Sequence, residues 1–312
     1  MNLRFVEAFY WVATLKSVTR AAEKLFLTQS AMSSRVAALE QELGVLLLDR
    51  RDKQFRLTVA GIRFAAYAEK LLELQREIKA EMGSGKPQAM SLRLGAIESV
   101  LHSWLTPLIE KLRLEYPELQ FQLSVETTPV LLDQARRGAL DLIFASLPAS
   151  GDDLRGRALP PMEMVLVGNA RLHRKHRYTL GDIVGMDLLT FQRGSQPHVA
   201  LLDLFRLSGL EPDRVHTMSS ISAMTQLVES GFGIATLPRS AAQRLLVHRD
   251  LRLLKLEVPL APLPVYASYR SDPTSAAVGM VAKAAFAFIE EREGSVTARK
   301  VRARTPNLPT DP

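Results

Sequence analysis

The chain has 312 residues, a length that indicates about two or three domains. Hydrophobic residues make up 47% and charged residues 23%, a composition typical of globular proteins. It contains no cysteine, which excludes disulfide frameworks, thiolate metal sites and cysteine nucleophiles. No stretch approaches the ~18 consecutive apolar residues that span a bilayer, and the first residues carry no apolar signal segment. We therefore expect a cytoplasmic protein without a membrane partner.

The net charge of +7 is concentrated at the two ends of the chain. Residues 1–63 hold ten Lys and Arg against six Asp and Glu, residues 297–312 hold four against one, and the 26 of each sign in between cancel. A small basic unit ahead of a neutral body indicates a polyanion-binding module joined to a domain with another ligand. A solvated basic surface would give the same charges.

Residues 3–43 of this module are predicted to form a helix-turn-helix. Apolar residues at helical spacing predict a first helix over 3–16, a short second helix over 19–25, and a third over 29–43 with Thr28 as its N-cap. Two short helices joined by a tight turn, the second longer and polar outside, are typical of DNA-binding proteins. The alternating stretch 46–57 predicts a β-hairpin wing.

Polar and basic side chains cluster at the start of the third helix and around the wing. Such side chains suit base edges and phosphates in the major groove, and arginines on a wing suit the negative minor groove. The sequence therefore predicts DNA contacts from Thr19, Arg20, Thr28, Gln29, Ser30, Ser33, Ser34, Arg35, Arg50, Arg51, Lys53 and Arg56.

These motifs closely resemble those of the LysR-type transcriptional regulators. The matching stretches are 17–25, 28–33, 39–44 and 56–61, and they follow one another in the order and spacing of the family. The family usually has proline where this chain has Ala31, which leaves the base preference open. The resemblance implies a winged helix-turn-helix DNA-binding domain, which we assign to residues 1–58.

A long helix capped by Thr58 is predicted to run to about Met82, and we assign residues 59–86 to a linker or dimerisation helix and hinge. Apolar residues at 3-4-3-4 spacing form a heptad seam on this helix: Phe64, Tyr67, Leu71, Leu74 and Ile78. The seam could pack on its own domain. In the resembled family the corresponding helix pairs two subunits, which implies a homodimer or homotetramer.

The remainder of the chain alternates short apolar runs with helical stretches, which predicts an α/β fold with parallel sheets. Predicted strands are 91–97, 119–125, 141–146, 162–168, 187–191, 215–218, 233–236 and 265–269, and predicted helices are 103–116, 129–137, 198–208, 220–229 and 276–291. Proline clusters at 160–161 and 259–264 bracket the second series. The basic segment 296–312 is expected to be a disordered tail.

This pattern predicts two subdomains, the second inserted into the first. We expect an effector-binding domain over 87–295, with subdomain I formed by 90–161 and 265–293 and subdomain II by 162–262. The motifs at 140–143 and 227–238 resemble the type 2 periplasmic-binding-protein-like effector domain of the same family. The predicted fold is thus a winged helix-turn-helix, a long linker helix and a two-subdomain α/β domain.

The cleft between hinged subdomains is where a small ligand is expected to bind. Hydroxyls and free amides at helix starts bind anions, and an arginine can hold a carboxylate bidentately. Together with the resemblance, this predicts effector contacts at Ser99, Val100, Thr128, Gln192, Arg193, Ser195, Ser219, Ser220 and Ile221. A carboxylate or an amino acid is the favoured class of effector.

The sequence carries no catalytic or metal signature. Gly231-Phe232-Gly233 is a fragment of a dinucleotide fingerprint, and His173 and His176 lack neighbouring ligands. We expect no catalytic residue, no cofactor and no metal. The sequence is interpreted as a LysR-type transcriptional regulator that binds operator or promoter duplex DNA, responds allosterically to a small molecule and has RNA polymerase as a further partner. The alternatives are a constitutive DNA-binding regulator with a vestigial cleft and a cytosolic small-molecule enzyme.

Overall fold

A computed structural model describes residues 1–49, 55–82, 90–151, 154–246 and 250–302. Within this part of the chain the side chains of residues 80, 81 and 293–302 are also left aside.

The N-terminal module is a three-helix unit with a small hairpin. Its elements are α1 (Leu3–Leu15), α2 (Val18–Lys24), α3 (Gln29–Leu43), β1 (Leu48–Asp49) and β2 (Arg56–Leu57). The first three helices each begin at a side chain that accepts a hydrogen bond from a backbone amide of the first turn: Asn2, Ser17 and Thr28. The strands β1 and β2 pair antiparallel and form the predicted wing. Helix α3 has the predicted bounds, whereas α1 ends one residue earlier than predicted and α2 begins and ends one residue earlier.

Helix α4 (Val59–Met82) begins after Thr58, whose Oγ1 accepts a hydrogen bond from the amide of Gly61 at 2.9 Å. One face of α4 packs on α1 through the fully buried Ala68 and Leu72. Phe64 belongs to this inner face, where its ring lies 5.5 Å from that of Phe9. The prediction that Phe64 belongs to the seam for a partner helix is therefore wrong. Near the start of α4, a residue three or four positions before the next apolar residue can lie on either the inner or the outer face of the helix.

The first C-terminal sheet has the strand order β4-β3-β5-β12-β6. Its strands are β3 (Met90–Ala96), β4 (Leu119–Val125), β5 (Leu142–Ala145), β6 (Leu154–Met162) and β12 (Leu263–Arg270). Its helical segments are α5 (Glu98–Val100), a π-helical turn (Leu101–Leu105), α6 (Thr106–Glu115), α7 (Thr128–Arg137) and α12 (Ala277–Arg302). Strands β3, β4 and β5 are parallel, whereas β12 runs antiparallel to β5 and β6.

The second sheet has the strand order β11-β7-β10-β8-β9. Its strands are β7 (Met164–Asn169), β8 (Asp187–Thr190), β9 (Arg214–Thr217), β10 (Ile234–Pro238) and β11 (Leu251–Leu254). Its helices are α8 (Leu180–Ile183), α9 (Gln196–Leu207), α10 (Ile221–Glu229) and α11 (Arg239–Leu246). The chain crosses from the first sheet to the second between β6 and β7, and returns between β11 and β12. Two connections between two compact units leave a cleft between them.

Three expectations about this part of the chain need correction. Both sheets are mixed rather than parallel, because β12 runs antiparallel to its neighbours in the first sheet and β7 runs antiparallel to its neighbours in the second. The helix predicted over 103–116 begins with the π-helical turn at Leu101–Leu105. Residues 296–302, expected to be a disordered tail, continue helix α12 to Arg302, since no proline interrupts the helix-forming residues before Pro306. The rest of the predicted tail, 303–312, lies outside the described residues.

Within the described part of the chain, none of the helices combines the length and the apolar character needed to cross a membrane.

Candidate DNA-binding surface and effector cleft

Helix α3 separates a buried face from a polar one. Met32, Val36 and Leu39 are fully buried in the core of the module. The first turn and the outer face carry short polar side chains that are exposed, namely Gln29, Ser30, Ser33 and Ser34, with Arg35 half-buried beside them. A helix of this kind can enter a major groove without disturbing its own core.

A groove of about 730 Å³ lies between α2, the start of α3 and the wing. Its lining brings together five of the residues predicted to contact DNA, which are Thr19, Gln29, Ser33, Ser34 and Arg56. Arg20 and Ser30 are exposed next to it. Thr28 has a structural role as well, because its Oγ1 accepts a hydrogen bond from the amide of Ala31 at 3.2 Å. The predicted wing-tip residues Arg50, Arg51 and Lys53 lie outside the described residues.

A buried carboxylate that sequence reasoning missed fixes the wing to α3. Glu40 accepts hydrogen bonds from the amides of Leu47 and Leu48 at 2.8 and 3.0 Å. Gly61, in the first turn of α4, closes the other side, since a Cβ at this position would collide with the carbonyl oxygen of Leu47. Strand β1, α3 and the start of α4 are therefore held together.

Glu98 joins the two C-terminal units across their cleft. One carboxylate oxygen accepts a hydrogen bond from the amide of Ile221 at 2.7 Å, and the Oγ of Ser220 donates to the other at 3.5 Å. His102 Nε2 lies 3.4 Å from the same carboxylate. A carboxylate at the start of α10 is held by free amides and by the positive end of the helix dipole. Sequence reasoning predicted the helix start but not the chain's own acid that occupies it.

A second contact lies beside the first. The hydroxyl of Ser240, in α11, donates to that of Ser103, in the π-helical turn, at 2.6 Å. Ser103 in turn donates to the carbonyl oxygen of Ser99 at 2.7 Å, within the first unit. The hydroxyl of Ser103 therefore accepts one hydrogen bond across the cleft and donates another within its own unit. The cleft is closed at this edge.

The predicted effector residues of the first unit are only partly accessible. Ser99 and Val100 are buried, with 3% and 0% of their surface exposed. Thr128 is half-buried, and its hydroxyl is 2.8 Å from that of Ser146 and accepts from the amide of Ser146 at 3.2 Å. Thr128 is thus engaged within its own unit. Ser99 and Val100 directly follow Glu98 in the chain, so they lie next to its contact with α10.

The predicted residues of the second unit lie on two loops. Ser220 and Ile221 begin α10 and meet Glu98, whereas Ser219 is exposed. Gln192 and Arg193 are both exposed in the loop before α9. The Oγ of Ser195, the N-cap residue of α9, is buried without a hydrogen-bond partner. Burial lowers the pKa of the nearby His198, and the charge of Arg193 lowers it further.

Among the described residues, no group of three or more His, Asp and Glu side chains is placed to hold a metal ion.

Comparison with known families decides the assignment. The family described as "Bacterial regulatory helix-turn-helix protein, lysR family" matches residues 3–62. The family described as "LysR substrate binding domain" matches residues 85–290, which is more than half of the chain. The chain belongs to the LysR family of bacterial transcriptional regulators. As a LysR-type regulator it joins a helix-turn-helix DNA-binding module to a substrate-binding domain.

Individual relatives extend over most of this LysR-type regulator. It is 28% identical over 242 residues to the HTH-type transcriptional regulator GltR of Bacillus subtilis, which covers 77% of this chain and 80% of GltR. It is 27% identical over 285 residues to the regulator BenM of Acinetobacter baylyi, covering 87% of this chain and 90% of BenM. Among solved structures, a full-length OxyR variant from Pseudomonas aeruginosa is 27% identical and aligns with a TM-score of 0.57, covering 91% and 94% of the two chains.

Proposed function

We propose that this LysR-type regulator binds operator or promoter DNA through the polar start of α3, with the surrounding groove and wing on the phosphates. The observation that supports this best is the exposed row Gln29, Ser33 and Ser34 above a fully buried Met32 and Val36. The proposed contacts are those predicted from the sequence, including Arg50, Arg51 and Lys53 of the wing. The domain boundaries proposed for it are 1–58, 59–86 and 87–295.

Alanine at Gln29 or Arg35 tests this proposal. Each substitution is expected to weaken binding to a mapped operator by about 1–3 kcal/mol if the side chain reads a base, with little change in the melting temperature. Gln41→Ala, at the exposed far end of the same helix, is the matched control. Operator affinity measured by fluorescence anisotropy decides the matter, and full affinity in both variants would exclude this docking geometry.

We also propose that the cleft between the two C-terminal units binds a small carboxylate or amino acid. The proposed contacts are Ser99, Val100, Thr128, Gln192, Arg193, Ser195, Ser219, Ser220 and Ile221. The contact between Glu98 and the amide of Ile221 supports this choice, because it shows a carboxylate fitting the start of α10. A ligand that favours one arrangement of the units shifts the regulator toward it.

A thermal-shift screen of small carboxylates and amino acids tests the effector proposal. A compound that raises the melting temperature and also changes the DNA footprint supports a ligand-controlled regulator. If Ser99 contacts the ligand, Ser99→Ala needs more of that compound while its ligand-free DNA binding stays unchanged. A screen in which no compound changes either readout favours the alternative, a constitutive DNA-binding regulator.

The further partners follow from the same reading. We propose a homodimer or homotetramer that acts in the cytoplasm, touches RNA polymerase at the promoter and performs no catalysis. The apolar face of α4 supports self-association, since Tyr67, Leu74 and Ile78 are each at least half exposed in the single chain.

A further inference from the structure

Helix α1 is buried on every side. No residue from Ala8 to Ala13 is exposed, which is unusual because an amphipathic helix normally covers one face only. Helices α3 and α4 pack on two sides of α1. The substrate-binding domain reaches a further side: Leu15 lies over Gly138, where a Cβ would stand 2.8 Å from the Cδ2 atom of Leu15. The DNA-binding module therefore rests on the domain that follows it in the chain.

An ion-pair cluster lies in this contact. Lys24 Nζ is 2.7 Å from Asp141 Oδ1 and 3.3 Å from Asp272 Oδ2, and all three side chains are about nine-tenths buried, with 12%, 11% and 10% exposed. The same ammonium lies 4.5 Å from the ring centroid of Trp11. The charges of a buried ion pair attract each other strongly because little water screens them. Removing one partner therefore leaves an uncompensated buried charge.

The acceptor side of the cluster is held rigid by its own domain. Arg93, in β3, donates from Nε and Nη2 to the two carboxylate oxygens of Asp141 at 3.0 and 2.6 Å. Burial opposes ionisation of Asp141, but the hydrogen bonds from Arg93 and the charge of Lys24 hold its pKa below the ordinary value. Asp141 belongs to the motif at 140–143, which DNA binding and the cleft leave without a role.

Helix α2 connects this cluster with the DNA-binding surface. Thr19, in its first turn, lines the groove, and Lys24 is its last residue. Seven residues of helix span only about 10 Å, so the two ends move as one body. Lys24 is a basic residue of a helix-turn-helix, yet its ammonium faces carboxylates of the other domain rather than the groove.

We propose that Lys24, Asp141 and Asp272 form a latch that docks the DNA-binding module on the substrate-binding domain of the same chain. The latch lets that domain orient α3, the helix proposed to enter the major groove, directly and in addition to the covalent connection through α4. It requires no particular ligand in the cleft and stands independently of the effector proposal.

Hydrogen–deuterium exchange of the full chain tests the latch. Lys24→Met keeps the aliphatic stem and removes the charge, and Lys70→Met, on the exposed side of α4, is the matched control. We expect exchange in peptides covering 134–141 and 270–276 to be about tenfold faster in Lys24→Met and unchanged in the control. Unchanged exchange of residues 32–39 shows that the module remains folded. Unchanged exchange of both docking peptides in a folded Lys24→Met protein overturns the proposal.

The latch can also be opened from the other side, which keeps the test valid if Lys24→Met does not fold. Asp272→Asn removes the charge but keeps an oxygen for the hydrogen bonds that Thr274 makes with Asp272 Oδ1. This variant is expected to accelerate exchange across α1, whose own residues are unaltered. Normal protection of α1 in Asp272→Asn contradicts the latch.

Binding to a mixed-sequence DNA duplex at several salt concentrations separates the latch from a phosphate contact. Arg20→Gln is expected to reduce the slope of log K against log salt by about 1, because it removes one phosphate contact. Lys24→Met is expected to leave this slope unchanged. A slope reduced equally in both variants means that Lys24 binds phosphate, and the latch is then wrong.

Discussion

Glu7 lies on α1 near the contact between the two domains, and the surroundings disfavour its ionised form. Burial raises the pKa of this carboxyl and the charge of Asp272 raises it further, while Arg35, Lys79 and Lys24 act in the opposite direction. Because the folded pKa lies above the unfolded value of ~4.3, the stabilising contribution of Glu7 is fully present below that value. It is lost as the pH rises through the folded pKa, so ionised Glu7 opposes folding at neutral pH.

Replacing Glu7 by Gln is therefore expected to raise the free energy of unfolding at neutral pH. The gain should shrink as the pH falls toward about 3, where the wild-type carboxyl is largely protonated in both states. Urea unfolding at several pH values measures this difference. Glu23→Gln, on the exposed face of α2, serves as the control and should change stability little. A Glu7→Gln variant less stable than wild type at neutral pH would mean that the ionised carboxylate has a favourable partner.

At the scale of single residues, the sequence predicted which side chains are exposed better than it predicted the roles of buried polar groups. The exposure of Gln29 and Ser33 could be predicted because helical spacing alone places them opposite Met32 and Val36. The role of Glu40 could not be predicted in this way. Its partners are backbone amides of the wing, and any carboxylate in the sequence could accept from a backbone amide that folding brings near it.

Among the elements, α4 carries two apolar faces with different partners. Leu72 has 1% of its surface exposed and packs on α1, whereas Leu74 has 52% exposed and faces away. The inner face holds the helix to its own module. The outer face, with Tyr67 and Ile78, is available to the same face of a second chain.

A charge placed on either face separates the two roles. Leu74→Glu is expected to lower the mass of the assembly in sedimentation equilibrium, because it places a charge in the proposed seam, while the melting temperature of the module changes little. Leu72→Glu is expected to destabilise the module by several kcal/mol, since its carboxylate would be buried in the core. An assembly of unchanged mass in Leu74→Glu would exclude α4 as the interface.

The elements that the sequence predicted are those with a clear periodic signal or a cap. Helices α3 and α10 have both a capping hydroxyl and an apolar stripe. Strand β6 was missed because it contains Pro160 and Pro161, which are normally read as breaks and are tolerated here because β6 is at the edge of the sheet. The predicted heptad seam of α4 was wrong at Phe64. The three-residue and four-residue spacings between apolar residues fit both the inner and the outer face of the helix there, so they do not decide the side on which Phe64 lies.

At the scale of the whole molecule, hydrogen bonds between described residues hold the two C-terminal units together at the closed edge of their cleft. Glu98 bonds to the start of α10, and Ser103 bonds to Ser240 in α11. A hydrogen bond from a backbone amide to a carboxylate contributes about 1.5–3 kcal/mol, more than a bond between neutral groups. Glu98 is thus the main polar contact that favours the closed arrangement.

Replacing Glu98 by Ala is expected to open the cleft. Amide exchange of residues 221–224 should accelerate, and the radius of gyration from small-angle scattering should increase. Glu110→Ala, on the exposed side of α6, is the matched control and should change neither readout. A Glu98→Ala protein with wild-type exchange and wild-type dimensions would show that apolar packing alone keeps the units closed.

The closed cleft also marks the limit of what could be predicted for the molecule as a whole. Alternating strands and helices indicated two units with a hinge, and both sheets are present. The sequence did not indicate how far the units close or that Glu98 fills the start of α10. These depend on the relative position of two segments more than a hundred residues apart, for which one chain carries no local signal.

The π-helical turn at Leu101–Leu105 lies between a cleft-facing and a core-facing stretch of the same helical segment. Each residue of an α-helix advances it by about 100°, so inserting one residue normally rotates everything beyond it. A π turn accommodates the inserted residue locally. Here the hydroxyl of Thr106 donates a hydrogen bond to the carbonyl oxygen of Leu101 at 3.0 Å. Deleting the extra residue from this turn would restore a regular α-helix and leave Glu98 beside α10 and Leu108 in the core. The length of this segment can therefore change by one residue during evolution while the contact across the cleft and the hydrophobic interior are both inherited intact.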